Sequence, residues 1–330
     1  MHTIGFVVFP DFNLLGFAAV TVFETANSAL APDEPAYAVT LLSEKGGLVS
    51  CSAGFRVETQ PFDDAVFDTV MFGSGVEIDF TSPGLIAFVR RALKTSRRVV
   101  APCTGAFILA EAGVLDGRRA TTHWRFASEL QRRFPKVMVE DDQIFIVDGP
   151  VWTSAGMTAT IDLALEMVEN DYGQEVSRTV ARKLVIYHRR AGGQAQLSAL
   201  LELEPKSDRI QKAIDYASAN LRETLSVEAL AEVARLSPRQ FSRAFSLETG
   251  QSPAKAVERL RVEAARLMLE QGRHSMDVIA REVGLVDRDR MRRAFLRTLG
   301  QPPQEIRQVG RANRYHPQPD SIGVFPPDSQ

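Results

Sequence analysis

Cysteine is nearly absent: two residues, Cys51 and Cys103, in a chain of 330. Two thiols cannot build a disulfide framework, so a reducing compartment is the expectation. Long hydrophobic runs are missing as well. The first apolar stretch, IGFVVF, is too short to span a bilayer and has no basic segment ahead of it. It reads as a buried strand of a cytoplasmic protein without a membrane partner. No metal and no cofactor are expected. What is present is ordinary for a folded chain: 45% hydrophobic and 24% charged residues, enough for two domains and against wholesale disorder.

The net charge of −2 conceals an asymmetry. Between Lys206 and Arg314 there are 21 Lys and Arg against 14 Asp and Glu, a net of +7. The remainder holds 18 basic and 27 acidic residues, a net of −9. A basic C-terminal part on an acidic body points to a polyanion partner for that part alone. A solvated, arginine-rich helical surface would give the same balance.

In the N-terminal part, short apolar runs alternate with helical patterns. IGFVVF, YAVTLLS, DTVMFGS and RRVVAP read as buried strands. Helical periodicity marks residues near 82–94, 104–113, 123–133 and 155–170. That alternation predicts an α/β domain around a largely parallel sheet, with ligands at the carboxyl ends of its strands. QIFIVDGPVWTS reads as a hairpin turning at Asp148-Gly149. GQEVSRTVARKLVIYHRR reads as one helix closing a domain over residues 1–190. Residues 191–208 carry the glycines, polar residues and proline of a linker. Residues 209–310 read as wholly helical, and 311–330 as a disordered tail.

The helical part repeats itself. RAFSLETGQSP at Arg243 returns as RAFLRTLGQPP at Arg293, an offset of 50. Each copy predicts helix, tight turn, helix. Gly284 supplies one turn, and Ser237-Pro238 starts the second helix of the first copy. Phe241, Ala244 and Phe245 form an apolar stripe in one second helix; Met291, Ala294 and Phe295 do so in the other. Arg239, Gln240, Ser242 and Arg243 are left for the outer face of the first. Arg288, Asp289, Arg290 and Arg292 are left for that of the second. The second helix of a helix-turn-helix lies in the major groove of double-stranded DNA. Arginine there can read guanine, glutamine can read adenine, and other arginines hold phosphates. The segment from 209 to 307 resembles the double helix-turn-helix domain of the AraC family of transcription regulators. GLVDRDRMRRAFLRTLGQPPQEIR is close to that family's C-terminal signature, with Leu285 where the family usually has Phe.

Strand RRVVAP runs straight into Cys103, and a helix follows from Thr104. His123 comes 20 residues later. A cysteine on a strand-to-helix elbow sits near free N–H groups, which favour thiolate and predict a lowered pKa. With backbone N–H groups near Gly73, Ser74 and Gly75 as an oxyanion hole and His123 as base, the pattern could do nucleophilic chemistry. A small core cysteine and a packed histidine would look the same.

Residues 3–190 resemble the DJ-1/PfpI superfamily, related to class I glutamine amidotransferases. The resemblance rests on Cys103-x-Gly105, the LAEAG run, Asp116-Gly117 and TTH. WTSAGMTATIDLALEMVENDYGQEVSRTVARKLVIYHRR is similar to the form fused to AraC-type domains, the GlxA-like regulators. It implies a flavodoxin-like α/β sandwich followed by an all-α double helix-turn-helix domain. Enzymes of the superfamily place a Glu or Asp on the loop after the first strand. Here Leu14 to Thr21 has no carboxylate; Asp11 comes early and Glu24 late. The expectation is therefore a regulator, not an enzyme, with Cys103 and His123 as vestiges of an active site. The resemblance implies a small nitrogenous effector, a homodimer, and RNA polymerase as a partner if the protein activates. The expected effector pocket comprises Leu15, Thr21, Gly73, Ser74 and Gly75 on one side. Cys103, Thr104, His123 and Trp124 complete it. The competing readings are a cysteine hydrolase or amidase, or a redox sensor, built on Cys103 and His123 and fused to a DNA-binding domain.

Overall fold

The computed structural model describes residues 1–30, 35–63, 65–75, 78, 81–186, 190, 192, 196, 203, 205–271 and 274–312. Most of the expected linker, and residues 313–330 of the expected tail 311–330, lie outside these residues, whereas residues 311 and 312 are helical and extend the preceding helix. The chain divides into two compact units, Met1–Gln196 and Leu197–Gln330.

The first unit is built on a mixed sheet of eight strands. Strands β1 (His2–Val7) and β2 (Tyr37–Ser43) pair in parallel, followed at one edge by the hairpin of β3 (Lys45–Ser50) and β4 (Arg56–Pro61). On the other side of β1 lie β5 (Thr69–Phe72) and β6 (Arg98–Pro102). A second, two-stranded sheet pairs β7 (Arg119–Ala120) with β8 (Met138–Val139). An antiparallel hairpin of β9 (Phe145–Asp148) and β10 (Val151–Ser154) closes the far edge of the main sheet. All of β5 and β6 is buried, as a sheet covered by helices on both faces requires. The strand order reverses between β1 and β5, so their carboxyl ends open a crevice.

Helices α1 (Ala18–Leu30), α5 (Ala159–Tyr172) and α6 (Gln174–Lys183) pack together, and α2 (Pro83–Thr95) and α3 (Gly105–Glu111) pack together and on β6. Helix α4 (Trp124–Arg133) follows β7. Arg98 is buried within β6; its guanidinium is satisfied by Asp171 and by Thr69 Oγ1 at 2.7 Å. A buried charge persists only with such partners.

The structure differs from the sequence reading at several points. The hairpin register pairs Asp148 with Val151, so the turn is Gly149-Pro150, one residue later than expected, with Gly149 at φ +58°. The helix expected over 173–190 ends at Lys183. Val185 turns left-handed, which brings the Ile186 N–H to the Ala181 carbonyl at 2.9 Å and packs Ile186 on the core. Strands β3 and β4 were not anticipated, because Gly46 and Gly47 break the apolar alternation of β3.

The second unit is helical among the described residues. Helix α7 (Asp208–Ala219) precedes α8 (Val227–Val233) and α9 (Pro238–Thr249), the first helix-turn-helix. Helix α10 (Pro253–Gln271) leads to α11 (Met276–Glu282) and α12 (Arg288–Leu299), the second, and α13 (Pro303–Ala312) follows. Two cores result. Ala256, Val257 and Leu260 of α10 join Phe241 and Phe245 in one; Val262, Ala265 and Leu269 join Met291, Ala294 and Phe295 in the other. Ser226 and Ser275 cap the first helices, Ser237 and Asp287 the second. The first turn places Arg235 at φ +54° and the second places Gly284 at φ +72°, an offset of 49. The second turn then takes an extra residue, Val286, at φ +67°, before the offset of 50 resumes in the second helices.

Candidate functional site

Strand β6 delivers Cys103 to a sharp elbow. Its φ is +53°, a strained value for a residue with a side chain. The elbow is held from all sides. The Cys103 N–H donates to the Ser154 carbonyl at 2.8 Å, and the Thr122 hydroxyl donates to the Cys103 carbonyl at 2.8 Å. A methyl group on Gly105 would lie 3.0 Å from the carbonyl oxygens of Phe72 and Gly73. Loops from the carboxyl ends of β1, β5, β6 and β10 thus meet here, where the fold predicts ligands.

The Gly73–Gly75 loop is brought to Cys103, but its amides are engaged. The Gly73 N–H donates to the Val7 carbonyl at 2.8 Å and the Gly75 N–H to Thr104 Oγ1 at 3.0 Å. Thr104 returns the bond, donating to the Gly75 carbonyl at 2.9 Å. Thr104 is fully buried, so it acts as a strut between the two loops. The Ser74 carbonyl accepts from the Asn13 N–H at 2.7 Å, which fixes the loop after β1. Leu15, in the short 3-10 helix Leu14–Phe17, and Thr21, on the first turn of α1, are both exposed. The Thr21 hydroxyl is engaged with the Phe17 carbonyl at 3.5 Å. Asp11 and Glu24 are exposed and flank the loop, as expected from sequence.

The elbow does not activate the thiol. Cys103 is 7% exposed, and burial pushes its pKa up to about 11, against the pull of hydrogen bonds from Thr104. This corrects the lowered pKa expected from the helix N-terminus: removing the thiolate from water outweighs a helix end of two turns. His123 is the N-cap of α4; its Nδ1 accepts the Arg125 N–H at 3.3 Å. Burial and the Arg125 charge hold its pKa below the usual value. Among the described residues, no hydrogen bond joins His123 to Cys103. Trp124 beside it is 52% exposed.

Sequence reasoning overlooked Gly156 and Gln196. Gly156, at φ +84°, lies where a methyl group would meet the Cys103 Cβ at 2.1 Å; the Ala-Gly pair after a strand was its signal. Gln196 bonds to the segments around His123 and carries no local signal.

In the helical unit, Arg239 and Arg243 are exposed on α9. Ser242 is half-buried. Gln240 closes a capping box: its Oε1 accepts from the Ser237 N–H at 3.1 Å, and the Ser237 hydroxyl caps the Gln240 N–H at 3.3 Å. The Ser237 hydroxyl also donates to that carbonyl at 2.8 Å, so in this arrangement the amide oxygen serves its own helix end and not a base edge. On α12, Asp289, Arg290 and Arg292 are exposed. Arg288 is held by both oxygens of Asp277 on α11, and it pulls the Asp277 pKa down. It braces the two helices of its own motif. Arg293, exposed and the repeat partner of Arg243, was overlooked; the repeat itself was the signal.

An enzyme-type elbow domain joined to two helix-turn-helix motifs defines a regulator that senses and reads DNA in one chain. The comparisons agree. The DJ-1/PfpI family matches residues 15–170, and a helix-turn-helix domain family matches residues 230–308. The HTH-type transcriptional regulator GbdR of Pseudomonas aeruginosa (strain UCBPP-PA14) is 28% identical over 340 residues, covering 99% of this chain and 91% of that protein. Isonitrile hydratase of Pseudomonas putida is 30% identical over 185 residues, 55% of this chain and 77% of that enzyme. A crystal structure of an AraC family transcriptional regulator from Pseudomonas putida shares the α/β fold, with a TM-score of 0.51 at 23% identity, covering 56% of this chain and 100% of that one. The chain belongs to the AraC-type transcriptional regulators that carry an N-terminal DJ-1/PfpI domain. The helix-turn-helix domain implies DNA binding. Among the described residues, no helix is long and apolar enough to cross a membrane.

Proposed function

We propose that the α/β unit binds a small nitrogenous metabolite at the Cys103–His123 end of its sheet without turning it over, and that binding governs DNA reading by the helical unit. The observation that carries this reading is the state of the elbow. Its thiol is held protonated by burial, and the Gly73 and Gly75 amides already have partners. Acyl-transfer chemistry needs a thiolate and free donors aimed at the developing oxyanion. A binding site needs neither. Arg239, Ser242 and Arg243 are the base-reading candidates of the first motif; Asp289, Arg290, Arg292 and Arg293 are those of the second. Gln240 and Arg288 act in support. The test is a thermal-shift screen of nitrogenous metabolites on the full chain, paired with DNA binding at two salt concentrations. A ligand of the native state raises the melting temperature, and specific binding weakens steeply with salt.

Two observations favour a second reading. The strained elbow itself is retained, and isonitrile hydratase is a relative. Turnover dependent on Cys103 would establish an enzyme.

A further inference from the structure

The second helices of the two motifs repeat at an offset of 50, so α9 and α12 can be compared position by position. Phe241 and Phe245 face one core; Met291, Ala294 and Phe295 face the other. On the side of each helix away from its core, residues recur at i, i+4 and i+7. In α9 these are Arg239, Arg243 and Ser246; in α12 they are Asp289, Arg293 and Leu296. All six are exposed. Leu296 is 39% exposed, whereas Phe295 beside it is fully buried. Seven residues of helix rise about 10 Å, the length of about three base-pair steps in a duplex.

Several neighbours of these stripes are committed to the protein. Gln240 serves the capping box, Asp277 holds Arg288, and Glu258 on α10 holds Arg297. Among the described residues, the side chains of Arg239, Arg243, Asp289 and Arg293 make no hydrogen bond or ion pair. The two stripes therefore differ in what they offer a base edge. Guanine presents two acceptors in the major groove, cytosine a donor and thymine a methyl group. Arg239, Arg243 and Arg293 suit guanine. Ser246 can donate or accept and suits any base. Asp289 only accepts, so it suits the cytosine amino group; adenine sets its N7 acceptor beside its donor. Leu296 offers only apolar surface, and in that groove thymine alone answers with an apolar group.

We infer that the two motifs read different half-sites, and that Leu296 and Asp289 make the difference. Leu296 packs on a thymine methyl group where the first motif has Ser246. Asp289 accepts from a cytosine amino group where the first motif has Arg239. Both assignments rest on DNA reading by the helical unit and name the bases its second motif selects.

The experiment uses the full chain and a duplex that it enriches from a randomised library. Each thymine of that duplex is replaced in turn by deoxyuridine, which keeps the base pair and removes only the methyl group. One such replacement should weaken wild-type binding about fourfold, the worth of one buried methyl group. Leu296→Ala should lose about as much on the parent duplex and lose nothing further on the deoxyuridine duplex. Leu296→Met, still apolar, should keep the sensitivity. Selection repeated with Asp289→Arg should turn one cytosine preference into guanine and leave the other positions unchanged. Thermal melts of all three variants should match wild type, since both side chains are exposed. If every deoxyuridine penalty persists in Leu296→Ala, or no cytosine preference moves in Asp289→Arg, the half-site assignment is overturned while DNA reading stands. A wild-type chain that enriches no sequence overturns DNA reading itself, and the assignment with it.

Discussion

Gly156 and Cys103 are pressed together so closely that a methyl group on Gly156 would stand 2.1 Å from the cysteine Cβ and 2.8 Å from its Sγ. The loops after β6 and β10 therefore have one shared arrangement, and both residues adopt positive φ to make it. Gly156→Ala must move one loop and strain the other. It should cost at least about 2 kcal/mol of stability. Urea unfolding of the full chain, followed by tryptophan fluorescence, checks this.

The buried thiol sets a pH dependence. Alkylation of Cys103, followed by mass spectrometry of its tryptic peptide, should be slow at neutral pH and climb toward pH 11. The stability sign follows from the same shift. The folded state keeps the proton above the ordinary value near 9, so the unfolded chain releases it first. Stability contributed by the neutral thiol is thus present below pH 9 and lost between about 9 and 11. His123 acts in the opposite window. Its folded pKa is depressed, so acid below about 6.5 protonates the unfolded chain preferentially and stability falls.

Base reading should separate from bracing. Arg243→Ala and Arg290→Ala should each cost about 1–3 kcal/mol of specific DNA binding and relax discrimination at one base position. Arg288→Ala should leave that discrimination intact, because its guanidinium is engaged by Asp277. Gln240→Ala should act on stability, by about 1 kcal/mol, through the lost capping box. Gel-shift titrations against single-base variants of a bound site, with thermal melts alongside, distinguish the two kinds of effect.

The second turn joins the two motifs. A methyl group on Gly284 would lie 2.1 Å from the Leu221 carbonyl oxygen, at a φ of +72°. That same carbonyl accepts from Arg261 Nε at 3.1 Å, and Arg261 also reaches the Glu223 carbonyl at 2.7 Å. Gly284→Ala should destabilise the helical unit by at least about 2 kcal/mol and weaken DNA binding with it. Arg235, at the matching left-handed position of the first turn, is exposed. Arg235→Gly should be stabilising or neutral in the same melts, since glycine removes the steric cost of that φ.

The helical unit was legible because its signals are local and occur twice. Serine caps, a turn glycine and apolar stripes at helical spacing all fall within one repeat. Even the capping box at Ser237 was written in the Ser-x-x-Gln spacing, though only its serine was read. The elbow was legible too, since a buried strand ending in Cys-Thr-Gly predicts a turn into a helix. The sign of the thiol shift was not. Proximity to a helix end can be read from sequence, whereas the depth of burial depends on loops that arrive from residues 8–13, 73–75 and 154–156. Gln196 was invisible for the same reason. Its partners lie 54 to 75 residues away, and nothing in a Gly-Gly-Gln-Ala-Gln stretch predicts a clasp.

The central claim is that this site binds and does not convert. Its direct test is to incubate the full chain with a metabolite that raises its melting temperature and then recover that metabolite by mass spectrometry. The account predicts that the compound returns intact and that Cys103→Ser leaves its chemical fate unchanged. Consumption of the compound by the wild-type protein, abolished in Cys103→Ser, would contradict it and make the α/β unit an enzyme.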